Sequence, residues 1–214
     1  MSDKSTRIVL LGAATLVAMV LGVSLSLLIF GGQAARDSAR LSGLSTPGGP
    51  TLGGPFELVD QNGRTVDESV LAGRPTLLYF GFTFCPDFCP MELANISRAA
   101  ALLRAEGQAV QTVFVTIDPT RDTPEVLKEY VENFDAEMLG LGGTEAQVAA
   151  AAKAYGVFFQ PVRGEDFADG YTMEHTTFVY ALDASGSLIK VFRANSAPEE
   201  IAEAVRSASA GSSS

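Results

Sequence analysis

Hydrophobic and polar positions divide this chain into three stretches of different character. From Ile8 to Phe30 no charged residue and almost no polar one interrupts an apolar run, which is longer than the roughly 20 residues a membrane-crossing helix takes. From Gly31 to Pro55 the apolar pattern gives way to Gly, Ser, Ala and Pro with scattered charge, the composition of a flexible tether. From Phe56 onward, short apolar runs alternate with helical periodicities. Phe56–Asp60 and Thr65–Val66 read as two short strands across an Asn62-Gly63 turn. The run Thr76–Phe82 shows too little alternation for a solvated face and reads as a central strand buried on both sides.

Beyond it, Leu93, Ile96, Ala100 and Leu103 fall at helical spacing between Pro90 and Glu106, with Gly107 as the stop. Val110–Ile117 is a second β-branched run, followed by a helix with Thr123 as N-cap and Pro124 as its first residue. Met138–Gly142 reads as a strand, Thr144 caps an alanine-rich helix to Tyr155, and Val157–Val162 is a further strand. A polar loop through Asp169-Gly170 leads to a second hairpin, Thr176–Leu182 and Ser187–Arg193, and a closing helix from Pro198 to Ser207. The expected organisation is a short cytoplasmic N-terminus (1–7), an anchor (8–30), a linker (31–55), one folded domain (56–208) and a disordered tail (209–214). Strands alternating with helices imply right-handed βαβ units and a three-layer α/β domain.

Charge changes the picture in two places. The net charge of -10, with 15 Lys and Arg and no basic run beyond the N-terminus, excludes nucleic acid as a partner. Around the apolar span, Lys4 and Arg7 precede it and Arg36 and Arg40 follow it, so the positive-inside count is nearly balanced. A short N-terminal segment commonly stays inside. The expected location is therefore the inner membrane, single pass, with the domain in the oxidising periplasm. Removal as a signal peptide at Ala35 is the competing reading.

The only two cysteines, Cys85 and Cys89, stand where the central strand gives way to the first helix. Free N–H groups and the helix dipole favour thiolate there, and residues four apart share a helix face. A plain disulfide or two inert core thiols remain open alternatives. Three intervening residues differ from the two of a C-x-x-C redox motif, and a structural zinc site takes four ligands. The single histidine, His175, opens the late hairpin. In a thioredoxin-like sheet that loop approaches the cysteine junction, and a thioredoxin-like arrangement is the expected fold. Two thiolates and one imidazole suit Cu(I) and also admit Cu(II). Met91 and Met173 are candidate thioethers, with core packing the alternative.

Phe82-Thr83-Phe84-Cys85-Pro86-Asp87-Phe88-Cys89-Pro90, then Ile117-Asp118-Pro119 with Arg121-Asp122-Thr123-Pro124-Glu125, then Glu174-His175-Thr176-Thr177-Phe178, closely resemble the Sco/SenC family. The resemblance runs from Phe56 to the last helix. It implies a membrane-tethered thioredoxin-like domain that binds copper, Cu(I) or Cu(II), through Cys85, Cys89 and His175. It further implies a copper donor protein, and the copper-receiving subunit of cytochrome c oxidase as partner in assembly of the dinuclear copper centre. Glu174 stands where the family often has Asp, in a position to orient the imidazole.

Three other functions compete. A thiol-disulfide oxidoreductase, keeping the receiving cysteines reduced, needs Cys85 and Cys89 but not His175. A peroxiredoxin-like peroxidase would use Thr83 and Cys85, with Arg163 as the activating cation. A tethered interaction module would hold Cys85 and Cys89 as a plain disulfide. Asp118, Arg121 and Asp122 could form a carboxylate site, although a capped turn accounts for them. Phe82, Phe84, Phe88, Phe158 and Phe159 read as core or hydrophobic rim.

Overall fold

The computed structural model describes residues 52–167 and 170–211. The apolar run becomes strand β3 (Thr76–Gly81), buried at every position. It lies between β4 (Gln111–Thr116), which runs parallel to it, and β8 (Phe178–Leu182), which runs antiparallel. With β1 (Glu57–Asp60), β2 (Thr65–Asp67), β5 (Leu139–Gly142) and β9 (Leu188–Arg193), the order in the seven-stranded sheet is β2-β1-β5-β4-β3-β8-β9. Both expected hairpins are present. In the first, Leu58 stands opposite Val66, and Gly63 supplies the positive φ (77°) that closes the Asn-Gly turn.

Adjacent residues of β3 point to opposite faces, and that alternation sorts the helices. Tyr79 faces Phe114 and the first helix, α1 (Phe88–Ala105). On the same face, α2 (Pro124–Glu132) packs Tyr130 against Phe114, and α4 (Pro198–Gly211) packs on α1. Phe80 points the other way, to Tyr155 and Tyr180, where α3 (Glu145–Ala154) ends. Helices on both faces of the sheet give the three-layer α/β/α arrangement. The caps follow the sequence: Thr123 accepts from Val126 N–H, and Thr144 forms a reciprocal capping box with Gln147.

Several expectations need correction or completion. A strand does form over most of the expected 157–162 stretch, but it does not join the main sheet. Instead β6 (Phe159–Arg163) pairs with β7 (Tyr171–His175) in a separate antiparallel ribbon. Its residues are half-buried or exposed, and Pro161 in β6 cannot donate to a ladder, so the pair suits an outlying ribbon better than a core strand. His175 consequently ends a strand rather than standing in a loop. The folded unit also starts before Phe56: Leu52 packs against the core and Gly53 N–H donates to the Ala154 carbonyl. At the other end α4 continues to Gly211, its last turn tied by Gln108 to Ser209 and by Ser209 to the Val205 carbonyl. The expected anchor at 8–30, most of the linker and residues 212–214 lie outside the described residues. Among the described residues no helix is long and apolar enough to cross a membrane.

Candidate metal and thiol centre

The centre is built where β3 stops. Gly81 is the last residue of the strand, residues 82–87 turn, and α1 starts at Phe88 with Asp87 at its N-cap. The Asp87 side chain makes no capping hydrogen bond. A cysteine sulfur takes that part: Cys89 N–H donates to Cys85 Sγ at 3.4 Å. Both cysteines are free thiols, Cys85 half-buried and Cys89 fully buried.

Their environments separate the two sulfurs chemically. The hydrogen bond from the Cys89 thiol, helped by backbone N–H groups of Cys89, Asp87 and Phe88, holds the Cys85 thiol down to about 5 despite partial burial. The same bond, together with burial and the charge on Cys85, pushes Cys89 far up. Tyr79 O–H also points at Cys89 Sγ, 3.8 Å away. Iodoacetamide should therefore alkylate the reduced chain at Cys85 with a rate midpoint near pH 5, while Cys89 stays protected well above neutrality. A midpoint near the ordinary cysteine value of about 8.5 would contradict this hydrogen-bond arrangement.

His175 closes the other side. Its Nδ1 lies 2.9 Å from the Thr176 carbonyl, which can only accept, so the proton is on Nδ1 and the Nε2 lone pair is free. Nε2 lies 3.7 Å from Cys89 Sγ. Burial lowers the histidine pKa, favouring neutral imidazole, and the rings of Phe82 and Tyr79 meet it edge-on. Glu174 does not orient this ring. Neighbours in a strand face opposite ways, and the Glu174 carboxylate accepts from Gln160 instead.

The structure thus brings Cys85 to Cys89 and Cys89 to His175. The three do not converge on one point: among the described residues no group of three His, Cys, Asp or Glu side chains could hold a metal ion in this geometry. The candidate thioethers stay aside, Met91 exposed and Met173 packed against the core. Phe82 is buried, while Phe84, Phe88 and Phe158 are exposed apolar groups.

The sequence did not reveal the supports behind the site. Asp122 is buried, and its carboxylate accepts from Thr83 N–H (3.1 Å), Thr83 O–H (2.6 Å) and Thr116 O–H (2.5 Å). Thr83 is therefore engaged as a loop anchor, which weighs against the peroxidase arrangement. Arg163 stands on β6 opposite Tyr171, in a groove formed with Glu145 and Val148. Asp118 pairs with Arg121 at 2.6 Å and accepts from Tyr171 O–H at 2.9 Å. The signal for these residues was the concentration of charge in Asp118–Asp122 immediately after a buried strand.

The SCO1/SenC family model matches residues 45–210. An SCO2-like protein of Rickettsia felis is 42% identical over 152 residues, covering 71% of this chain and 74% of that protein. Among solved structures, Bradyrhizobium japonicum ScoI with copper bound is 38% identical with a TM-score of 0.65, covering 73% of this chain and 98% of that one. BsSco, described as a member of the Sco family of cytochrome c oxidase assembly proteins with a disulfide switch, is 25% identical with a TM-score of 0.58. That match covers 74% of this chain and 94% of the other.

Proposed function

This chain belongs to the SCO1/SenC family, and on that premise we propose that its domain carries copper through Cys85, Cys89 and His175 for assembly of the dinuclear copper centre of cytochrome c oxidase. The observation that carries the reading is the Nε2 lone pair of His175 directed at Cys89 Sγ, with the Cys89 backbone already bonded to Cys85 Sγ. Two soft sulfurs and one borderline nitrogen match Cu(I) and exclude hard cations. The copper-bound ScoI relative and the assembly role given for BsSco support the same reading. In this proposal the 8–30 span tethers the domain in the inner membrane, facing the periplasm. A donor protein loads the sulfurs and the copper-receiving oxidase subunit takes the ion.

Copper enters as cargo, and each residue has a separate task. Cys85, half-buried and thiolate-prone, is the first sulfur an arriving ion meets. Cys89 gives up its proton as it becomes a ligand, and His175 needs no deprotonation because its one ring proton stays on Nδ1, which donates to the Thr176 carbonyl and leaves Nε2 free. Tenfold or more weakening, at least about 1.4 kcal/mol, is expected for His175→Ala in a Cu(I) competition titration of the reduced chain against a chelator of known affinity. Unchanged affinity would remove the imidazole from the site.

A second reading is favoured by the asymmetry of the two thiols. In thiol-disulfide exchange the Cys85 thiolate attacks one sulfur of the partner's disulfide and expels the other as thiolate. Cys89 then loses its proton, its sulfur attacks Cys85 in the mixed disulfide, and the second partner thiolate leaves. Two electrons pass to the partner and Cys85–Cys89 becomes a disulfide. Oxidase assembly in cells that survives His175→Ala but fails with either Cys→Ser change would favour this chemistry over copper carriage.

A further inference from the structure

The loop that carries Cys85 and the strand that carries His175 come from distant parts of the sequence, and one guanidinium touches both. Arg121, on the connection between β4 and α2, lies over the Tyr171 ring at 3.8 Å and over the Phe84 ring at 4.7 Å. Phe84 immediately precedes Cys85. Tyr171 shares a face of β7 with Met173 and His175, because side chains two apart on a strand point the same way. The guanidinium therefore lies between an aromatic ring of the cysteine loop and an aromatic ring of the histidine strand.

Polar contacts fix it there. Arg121 Nε donates to Asp118 at 2.6 Å and Nη1 to the Tyr171 carbonyl at 3.2 Å, while Tyr171 O–H donates to the other Asp118 oxygen at 2.9 Å. The Arg121 side chain is only 10% exposed and its Nη2 is buried without a hydrogen-bond partner. A buried cation with a donor left unpaired is costly, and no part of the chemistry described above uses it. The aromatic stacking offsets part of that cost, and only a planar group can stack and fork at once. Next to it, Asp122 fixes Thr83 of the same loop through two hydrogen bonds.

We propose that Arg121 is the positioning residue that clasps the cysteine loop to the histidine strand, and so sets where Cys85 stands relative to His175. Asp118 aims the clasp, and Phe84 and Tyr171 are its two plates. Without it, the loop between Gly81 and Phe88 keeps its Asp122 anchor at Thr83 but loses the one at Phe84, leaving Cys85 free to move toward Cys89 and away from the imidazole. The copper consequence rests on the function proposed above, whereas the disulfide consequence does not.

The experiment compares the full chain with Arg121→Gln, Arg121→Lys, Phe84→Ala, Phe84→Tyr and the Arg121→Gln/Phe84→Ala double variant. Two readouts are used: Cu(I) affinity by competition, and the dithiol–disulfide equilibrium of Cys85 and Cys89 in a dithiothreitol redox series. Arg121→Gln, Arg121→Lys and Phe84→Ala should each weaken Cu(I) by about tenfold and shift the equilibrium toward the disulfide by about fivefold. Phe84→Tyr, which keeps the plate, should match the unmodified chain, and the double variant should be no worse than Arg121→Gln alone. Phe84 is 47% exposed, so Phe84→Ala keeps the test decisive if the arginine variants do not fold. Additive effects in the double variant, or an unmoved disulfide equilibrium in folded Phe84→Ala, would overturn the clasp. A chain that does not bind Cu(I), but whose disulfide equilibrium moves as stated, would sink copper carriage and leave the clasp standing.

Discussion

Serine at position 85 or 89 is expected to abolish tight Cu(I) binding, lowering affinity by about a thousandfold or more, on the order of 4 kcal/mol. A hydroxyl is a hard donor that stays protonated at neutral pH, so neither variant can supply the second soft anion that the proposed site needs. The two variants should differ in everything except copper. Cys85 is half-buried at the edge of the core, and the one hydrogen bond its sulfur accepts, from Cys89 N–H, can pass to a serine Oγ at this helix start, so Cys85→Ser should unfold at nearly the same denaturant concentration as the unmodified chain. Cys89 is fully buried beneath Tyr79 O–H and His175 Nε2. A serine there is shorter, leaves a gap, and should cost about 1 kcal/mol. Competition titration and urea unfolding of both variants read the two effects separately. Retained affinity in Cys85→Ser would mean that copper is held without the Cys85 sulfur.

The parts of the fold that sequence revealed are those written in local periodicity. β3 was visible because its residues are apolar on both faces, and both faces are covered, by α1 on the Tyr79 side and by Tyr155 and Tyr180 on the Phe80 side. The capped starts of α2 and α3 were visible because a cap is a contact between residues three apart. The β6–β7 ribbon was visible only in part. Residues 157–162 read as a strand, but its partner Tyr171–His175 reads only as the approach to the late hairpin, because a short, half-buried segment after a polar loop carries little apolar signal of its own.

The site divides along the same line. Cys85, Cys89 and His175 could be singled out because thiols and imidazoles carry chemistry, and topology brings Cys89 next to each of the other two. Their supports act across sequence distances that no local pattern records: Asp122 reaches Thr83 from 39 positions away, and Tyr171 reaches Asp118 from 53. Glu174 was misjudged for a related reason, since adjacency in sequence means opposite faces once the segment is a strand. The imidazole is oriented by the backbone carbonyl of Thr176, a group every residue has.

Gly81→Ala is expected to damage fold and site together. The position ends β3, and a Cβ built there would stand 2.9 Å from Cys89 Sγ, 2.9 Å from Tyr79 Cε1 and 3.0 Å from Phe114 Cε2. None of these atoms ends a flexible surface chain: all three residues are fully buried, and Tyr79 and Phe114 pack against each other. Room for the methyl group must come from moving the sulfur or the sheet, and overpacking of this kind costs about 3 kcal/mol. The lower entropy of the unfolded alanine chain returns somewhat under 1 kcal/mol, which leaves a net loss of about 2 kcal/mol. Gly140→Ala is the matched control. Its Cβ would meet Leu127 and Val131 side-chain atoms at 3.4 Å, near ordinary contact, so its stability should change little. If Gly81→Ala folds, Cys89 must sit farther from the strand, and Cu(I) affinity should fall with stability, whereas in Gly140→Ala it should not. Urea unfolding and copper competition on both variants decide it, and a Gly81→Ala chain as stable and as tight for Cu(I) as Gly140→Ala would show that Cys89 does not need the space this glycine leaves.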